Sequence, residues 1–177
     1  MTAFMIASIS GIAFTISFLS QNLTLSRIGI PALLYRTSSI HSTGKEQASD
    51  LAHQWQKIYD RGHIMGPGAA LMSTSSFIYA LKKTESLSDN LSDNHKVLLI
   101  TAASLPTMIF PYTYLLMDGI NQELFWRAGT RKKSPSGPNA SAKLSTTELV
   151  QKWGYYNLVR AFIPALGGLC GAIVLCA

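Results

Sequence analysis

Four polar side chains stand where apolar ones would be expected, and these are the residues with chemistry to offer. Arg160 lies between Leu158-Val159 and Ala161-Phe162-Ile163, a setting that costs at least ~2.5–3.5 kcal/mol at mid-membrane and less near an interface. His63 follows Arg61-Gly62 and precedes Pro67. Asn121 shares a helical face with Thr113 and Met117, and Asn157 shares one with Arg160, Pro164 and Gly167. An imidazole exchanges protons, a guanidinium is a permanent positive charge, and a carboxamide both donates and accepts hydrogen bonds. In an apolar interior such groups form either a ligand-handling cluster or structural fittings. In the second case Arg160 snorkels to the headgroups, His63 marks the membrane edge, and the asparagines are interhelical hydrogen bonds.

Other chemistries lack their residues. No two histidines share a helix face within the apolar stretches, which disfavours bis-histidine haem and histidine metal sites. With four spans, His63 and His95 fall at opposite membrane faces. The chain has no GxGxxG, Walker, HExxH or CxxC motif. Cys170 and Cys176 are six apart on one helix, point in nearly opposite directions, and read as small apolar residues.

The elements that must position these residues are legible from where charge is missing. Of 177 residues, 47% are hydrophobic and 14% charged, against roughly a quarter charged in an ordinary soluble domain. The mean hydropathy of +0.20 is mild, but the charges are unevenly spread. Every Asp, Glu, Lys and Arg avoids Met1–Ser26, Gly62–Leu81, Val97–Met117 and Ala161–Ala177. A soluble bundle would put charge on the outer face of each helix, whereas each gap is near the ~20 residues that cross a bilayer. The sequence therefore predicts an all-α fold, a four-helix transmembrane bundle with an amphipathic interfacial segment before helix two. It reads as a single integral-membrane domain over 1–177, with helices at about 3–26, 62–81, 97–117 and 153–176 and a mobile loop at 128–146. The first helix reaches residue 34 if it continues through the apolar patch Ile28–Leu34, which would put Arg27 near the membrane boundary. No Lys or Arg precedes the first apolar run, and the run exceeds the usual 7–15 residues, so it reads as a retained helix rather than a signal peptide.

The connections set an orientation. The first and third carry Arg36, Lys45, Lys57 and Arg61, then Arg127, Arg131, Lys132, Lys133, Lys143 and Lys152, whereas the second has Lys82, Lys83 and Lys96. The positive-inside rule then makes both termini lumenal and the two long connections cytosolic. The net charge of +6 is explained by this topology, and without interleaved aromatics it does not point to nucleic acid. Leu51, Trp55, Ile58 and Gly62 recur at helical spacing, which predicts an amphipathic segment with Trp55 and Tyr59 at headgroup level. Asn90-Leu91-Ser92 is a glycosylation sequon on the predicted lumenal side. Close packing is expected along Gly62, Gly66, Ala69, Ser73, Ser76 and Ala80 and along Gly167, Gly168 and Gly171. Pro67, Pro106, Pro111 and Pro164 each release a backbone carbonyl inside the bundle. With this topology His63, Asn121, Asn157 and Arg160 all fall at the cytosolic end.

Three segments carry a resemblance to a known family. Trp55-xxx-Tyr59-xx-Gly62-xxxx-Pro67, Pro111-Tyr112-Thr113-xxx-Met117-xxx-Asn121-xx-Leu124, and Leu149-xxx-Trp153-xxx-Asn157-xx-Arg160-xxx-Pro164-xx-Gly167 resemble the second, third and fourth helices of the small DUF1772 membrane proteins. Gly11 and Ser17 fit the first helix more loosely. The fungal members best known by function are anthrone oxygenases of polyketide pathways. The resemblance implies a cofactor-independent reaction, with dioxygen as co-substrate. An anthrone methylene loses a proton to give an aromatic anthrolate, which reacts with dioxygen and yields a quinone and water.

On that reading Arg160, Asn157 and Asn121 hold the developing oxyanion. His63, which is not one of the motif positions, accepts or relays the proton. Tyr112, Thr113, Met117 and Trp153 bind the flat substrate. The implied partners are an aromatic polyketide, membrane lipid, and a soluble polyketide synthase or thioesterase. The implied location is the endoplasmic reticulum or a related endomembrane. Two other classes use the same residues. In a small transporter or lipid-binding protein, the polar cluster would pass or hold a ligand without oxygen consumption. In a pathway scaffold, the basic Arg127–Lys152 segment would recruit soluble enzymes.

Overall fold

The computed structural model describes residues 3–38, 44–86, 92–131 and 144–177. The described residues are helical throughout apart from short turns, and four rods are long and apolar enough to cross a membrane. Span one joins α1 (Ala3–Thr24) to α2 (Ile30–Ser38) through a π-helical turn at Leu25–Gly29, so the helix does continue through Ile28–Leu34. Span two is the single helix α3 (Gly44–Ser86). Span three joins α4 (Asp93–Ser104), α5 (Ile109–Tyr112) and α6 (Asp118–Arg127). Span four is α7 (Thr146–Cys176). The sequon at Asn90 and most of the third connection (132–143) lie outside the described residues.

Every rod is longer than its charge-free stretch, for reasons visible in the side chains. Span three runs past Met117 because its next charges have partners one turn on: Gln122 donates to Asp118, and Arg127 Nε donates to Glu123 at 2.9 Å. Span two begins well before Gly62 because Lys45–Arg61 is part of the same helix. The apolar face of this amphipathic segment rests on protein. Leu51, Ala52 and Trp55 are buried, and Leu51 and Trp55 join Leu124, Leu149 and Trp153 in one core. Span four starts at a capping box. Ser145 N–H donates to Glu148 Oε2 at 2.7 Å while Glu148 N–H donates to Ser145 Oγ at 3.2 Å, which satisfies two donors at the helix start.

The contacts divide the chain into two units, each built from part of all four rods. The first comprises Met1–Gln21, Met65–Pro111 and Arg160–Ala177. Its packing depends on small residues, as expected where no water is expelled between helices. Gly11 and Gly171 both abut the fully buried Phe77, and a Cβ on Gly11 would come within 2.8 Å of that ring. Ser73 Oγ donates to the Gly11 carbonyl at 3.1 Å. Pro106 has no N–H for the Ala102 carbonyl, and that carbonyl lies where a Cβ on Gly167 would be 3.1 Å away. The next carbonyl, Ala103, accepts from Thr74 Oγ1 at 2.9 Å. The helix tightens to 3₁₀ geometry around Pro106, at Leu105–Met108, and widens to π geometry after Pro111, at Thr113–Met117.

The second unit comprises Asn22–Ile64 and Tyr112–Val159. Its core holds Ile30, Leu33, Leu51, Trp55, Met117, Ile120, Leu124, Leu149, Val150 and Trp153. Arg127 links the two ends of the third connection within this unit. Besides Glu123, it donates to Thr146 Oγ1 at 3.1 Å and to the Leu144 carbonyl at 2.8 Å.

Candidate active site

Most of the residues expected to act together lie in the second unit, where hydrogen bonds lock them into its core. Trp153 and Asn121 are both buried, and the indole N–H donates to Asn121 Oδ1 at 2.9 Å. This bond fixes the Asn121 carboxamide and leaves its amide N–H groups as donors. Asn157 is fully buried and donates through Nδ2 to Ser26 Oγ at 3.2 Å. Tyr112 OH donates to the Tyr156 carbonyl at 3.2 Å. Met117 is packed in the core, and Thr113 is half-buried at the start of the π turn.

His63 is exposed, stacked on Tyr59 with ring centroids 5.6 Å apart and planes 6° from parallel. Its Nδ1 is 2.9 Å from the Asp60 carbonyl. A carbonyl only accepts, so Nδ1 carries the hydrogen, and in the neutral ring Nε2 is the basic nitrogen. Arg160 belongs to the first unit. Its half-buried guanidinium lies 5.8 Å from the centroid of the fully buried Phe18 ring, within cation–π range.

The second unit also contains an open cleft of about 350 Å³, within the range of small-molecule sites. Gln56 and Tyr59 of α3 line it together with Asp118, Asn121, Gln122 and Phe125 of α6, and Thr130 and Arg131 join them. The four α6 residues follow an i, i+3, i+4, i+7 pattern, which places them on one helical face. Tyr59 and Phe125 meet edge to face at 5.0 Å, and each packs against Trp55 at 5.2 Å. A Schellman turn brings in the last two residues. Gly129 takes φ +71°, its N–H donates to the Trp126 carbonyl at 2.9 Å, and Thr130 N–H donates to the Phe125 carbonyl at 3.2 Å. A side chain at Gly129 would be strained in this conformation.

Sequence reasoning found Asn121 but not its neighbours Asp118, Gln122 and Phe125, although their spacing on α6 was available to read. The helical spacing expects Tyr59 at the headgroup level, whereas the structure has it lining the cleft. Among the described residues, no group of three or more His, Cys, Asp or Glu is placed to hold a metal ion.

An all-α membrane protein of four spans, with buried amides hydrogen-bonded to an indole and a hydroxyl and an aromatic-walled cleft that Asn121 lines, is the class that fold and site define. Known proteins narrow it further. Residues 55–170 match the anthrone oxygenase family, and the chain belongs to that family. A noranthrone monooxygenase of Aspergillus flavus is 31% identical over 154 residues, covering 87% of this chain and 66% of the relative. A monooxygenase of Dothistroma septosporum, hypC, is 30% identical over 128 residues, covering 72% of this chain and 64% of the relative. The anthrone oxygenase encC of Aspergillus fumigatus is 29% identical over 154 residues, covering 82% of this chain and 79% of the relative. The chain thus spans just under two thirds of the length of the first two relatives. No solved structure matches it.

Proposed function

We propose that this chain is a membrane-bound anthrone oxygenase, which uses dioxygen to convert a polyketide anthrone to the anthraquinone without a bound cofactor. The match of residues 55–170 to the anthrone oxygenase family carries this reading, and relatives named for anthrone or noranthrone oxidation support it. The chemistry needs little from the protein. One methylene proton leaves, the resulting anthrolate gives two electrons to dioxygen, and the peroxide loses water to form the second quinone carbonyl. A positioned base is worth ~10²–10⁴-fold in such a step, and donors fixed in a site that excludes water add a comparable or larger factor.

In this reading Asn121 and Asn157 supply amide donors to the anthrolate oxygen, and the hydrogen bonds that lock them provide the preorganisation. Arg160 contributes a positive charge held in apolar surroundings. His63, with Nε2 basic, receives or passes on the proton. Tyr112, Thr113, Met117 and Trp153 shape the aromatic surroundings of the substrate. Both long basic connections face the cytosol, the termini face the lumen of the endoplasmic reticulum or a related endomembrane, and the anthrone comes from a soluble polyketide synthase or thioesterase. Anthrones are apolar enough to partition into the bilayer on the way.

The test is dioxygen uptake by purified protein given an anthrone, compared with Arg160→Ala. Wild-type protein consumes dioxygen as quinone absorbance rises, and Arg160→Ala slows by roughly 10²–10³-fold, as when one oxyanion donor is lost. Absence of uptake by the wild type contradicts the function. Undiminished turnover by a folded Arg160→Ala contradicts only the role of Arg160.

A further inference from the structure

The cleft between α3 and α6 contains the only carboxylate among its lining residues, Asp118. Gln122 Nε2 donates to Asp118 Oδ2, so an amide one turn along fixes one carboxylate oxygen and leaves Oδ1 as an acceptor. The surroundings suit a flat aromatic guest. Tyr59 and Phe125 present ring surface, and both are held from behind by a tryptophan with no exposed area. Two residues with donor groups also line the cleft: Asn121, whose amide is oriented by Trp153, and Arg131. A ligand complementary to this set is planar and aromatic, with an oxygen that gains negative charge and an acidic hydrogen for a carboxylate to take. Of the catalytic and substrate-binding residues expected from the sequence, Asn121 alone lines this cleft. His63 stacks on Tyr59 and is not among the lining residues.

From this arrangement we infer that Asp118 is the base that removes the methylene proton of an anthrone bound in the cleft, and that Gln122 is its positioning residue. The inference rests on the anthrone oxygenase reading and revises its proton step, with Asp118 in place of His63 as the base and Arg131 in place of Arg160 as the charged donor. The methylene C–H bond breaks and an O–H bond forms on Asp118. The electron pair passes through the ring to the carbonyl oxygen, which faces the Asn121 and Arg131 donors. Dioxygen accepts two electrons as it bonds to the same carbon, and Asp118 returns its proton to the distal peroxide oxygen. Loss of the second methylene proton to Asp118 then breaks the O–O bond, leaving a carbonyl. The departing hydroxide takes that proton and leaves as water. One anthrone and one dioxygen yield one quinone and one water, and Asp118 ends as it began.

Proton removal can be read without oxidation. Under strict anaerobiosis in deuterated buffer, wild-type protein should exchange the methylene hydrogens of a bound anthrone well above the buffer rate. Asp118→Asn should lose this exchange and aerobic dioxygen uptake together, by about 10²–10⁴-fold, while binding the quinone product with unchanged affinity. Gln122→Ala, which leaves the charge in place, should lower kcat about tenfold with KM unchanged, and it serves as the second variant if Asp118→Asn does not fold. An active wild type whose Asp118→Asn variant exchanges at the wild-type rate overturns the inference and leaves the anthrone oxygenase reading standing. So does a Gln122→Ala variant with unchanged kcat, or one whose loss lies entirely in KM. Wild-type protein that neither exchanges nor consumes dioxygen overturns both.

Discussion

The hydrogen bond between Trp153 and Asn121 offers a quantitative check on how the candidate site is built. Both side chains are buried, at 3% and 6% exposure, and the bond is 2.9 Å long. Trp153→Phe removes the donor and strands a buried amide oxygen, at a cost of about 1–3 kcal/mol. The smaller ring, which also loses packing against Trp55 at 5.7 Å, adds roughly 1–2 kcal/mol of lost apolar burial. Asn121→Leu strands the indole N–H instead, again at about 1–3 kcal/mol. In the double variant neither polar group remains, so only the packing loss should persist. The double-mutant cycle should therefore show a coupling of about 2–6 kcal/mol, the two stranding costs together. Denaturant titration of the four proteins in mixed micelles measures it. Activity separates the two residues further: per folded molecule, Trp153→Phe, which releases the Asn121 carboxamide but keeps its donors, should lose about tenfold in turnover, while Asn121→Leu should lose roughly 10²-fold. Single effects that add to within about 0.5 kcal/mol would refute the claim that this bond orients the asparagine.

Two further substitutions probe the frame. Gly171→Val drives a side chain into Phe77, which Gly11 already contacts from another helix, so unfolding should be easier by about 1–3 kcal/mol, and Phe77→Leu in the same chain should recover part of the loss. Glu123→Ala strips the counter-charge from Arg127, whose side chain is only 16% exposed and still donates to Thr146 and Leu144. Thermal denaturation should report a loss approaching the 3–5 kcal/mol of a broken buried pair, with Glu123→Gln milder because it can still accept a hydrogen bond.

The four spans could be read because charge is excluded from a bilayer core and nothing else in a sequence imitates that exclusion so plainly. Their ends were less legible. Asp118 and Glu123 look like a helix leaving the membrane, yet the helix continues because Gln122 and Arg127 partner them locally. Trp55 shows a different limit. Its helical spacing with Leu51 and Ile58 identifies an apolar face but not what covers it, and the cover turns out to be Leu124, Leu149 and Trp153 rather than headgroups.

The same distinction applies to the site. Asn121, Asn157 and Arg160 stood out because a polar group in an apolar run is costly by itself. The bonds that tie Asn121 to a tryptophan 32 residues away, and Asn157 to a serine 131 residues away, depend on helix pairing and have no local signature. Asp118 gives no such signal, because it borders a charge-free stretch, where a carboxylate looks like ordinary solvated polarity. Its significance comes from the aromatic walls that α3 and α6 build together.

Tracing the oxygen atoms tests the central claim, oxidation of an anthrone by dioxygen on this chain, most directly. Purified protein given an anthrone under ¹⁸O₂ should form quinone carrying one ¹⁸O atom at the former methylene carbon and release the other as labelled water, with no flavin, haem or metal added. Quinone formed with unlabelled oxygen from water, or no quinone above the spontaneous rate, would contradict it.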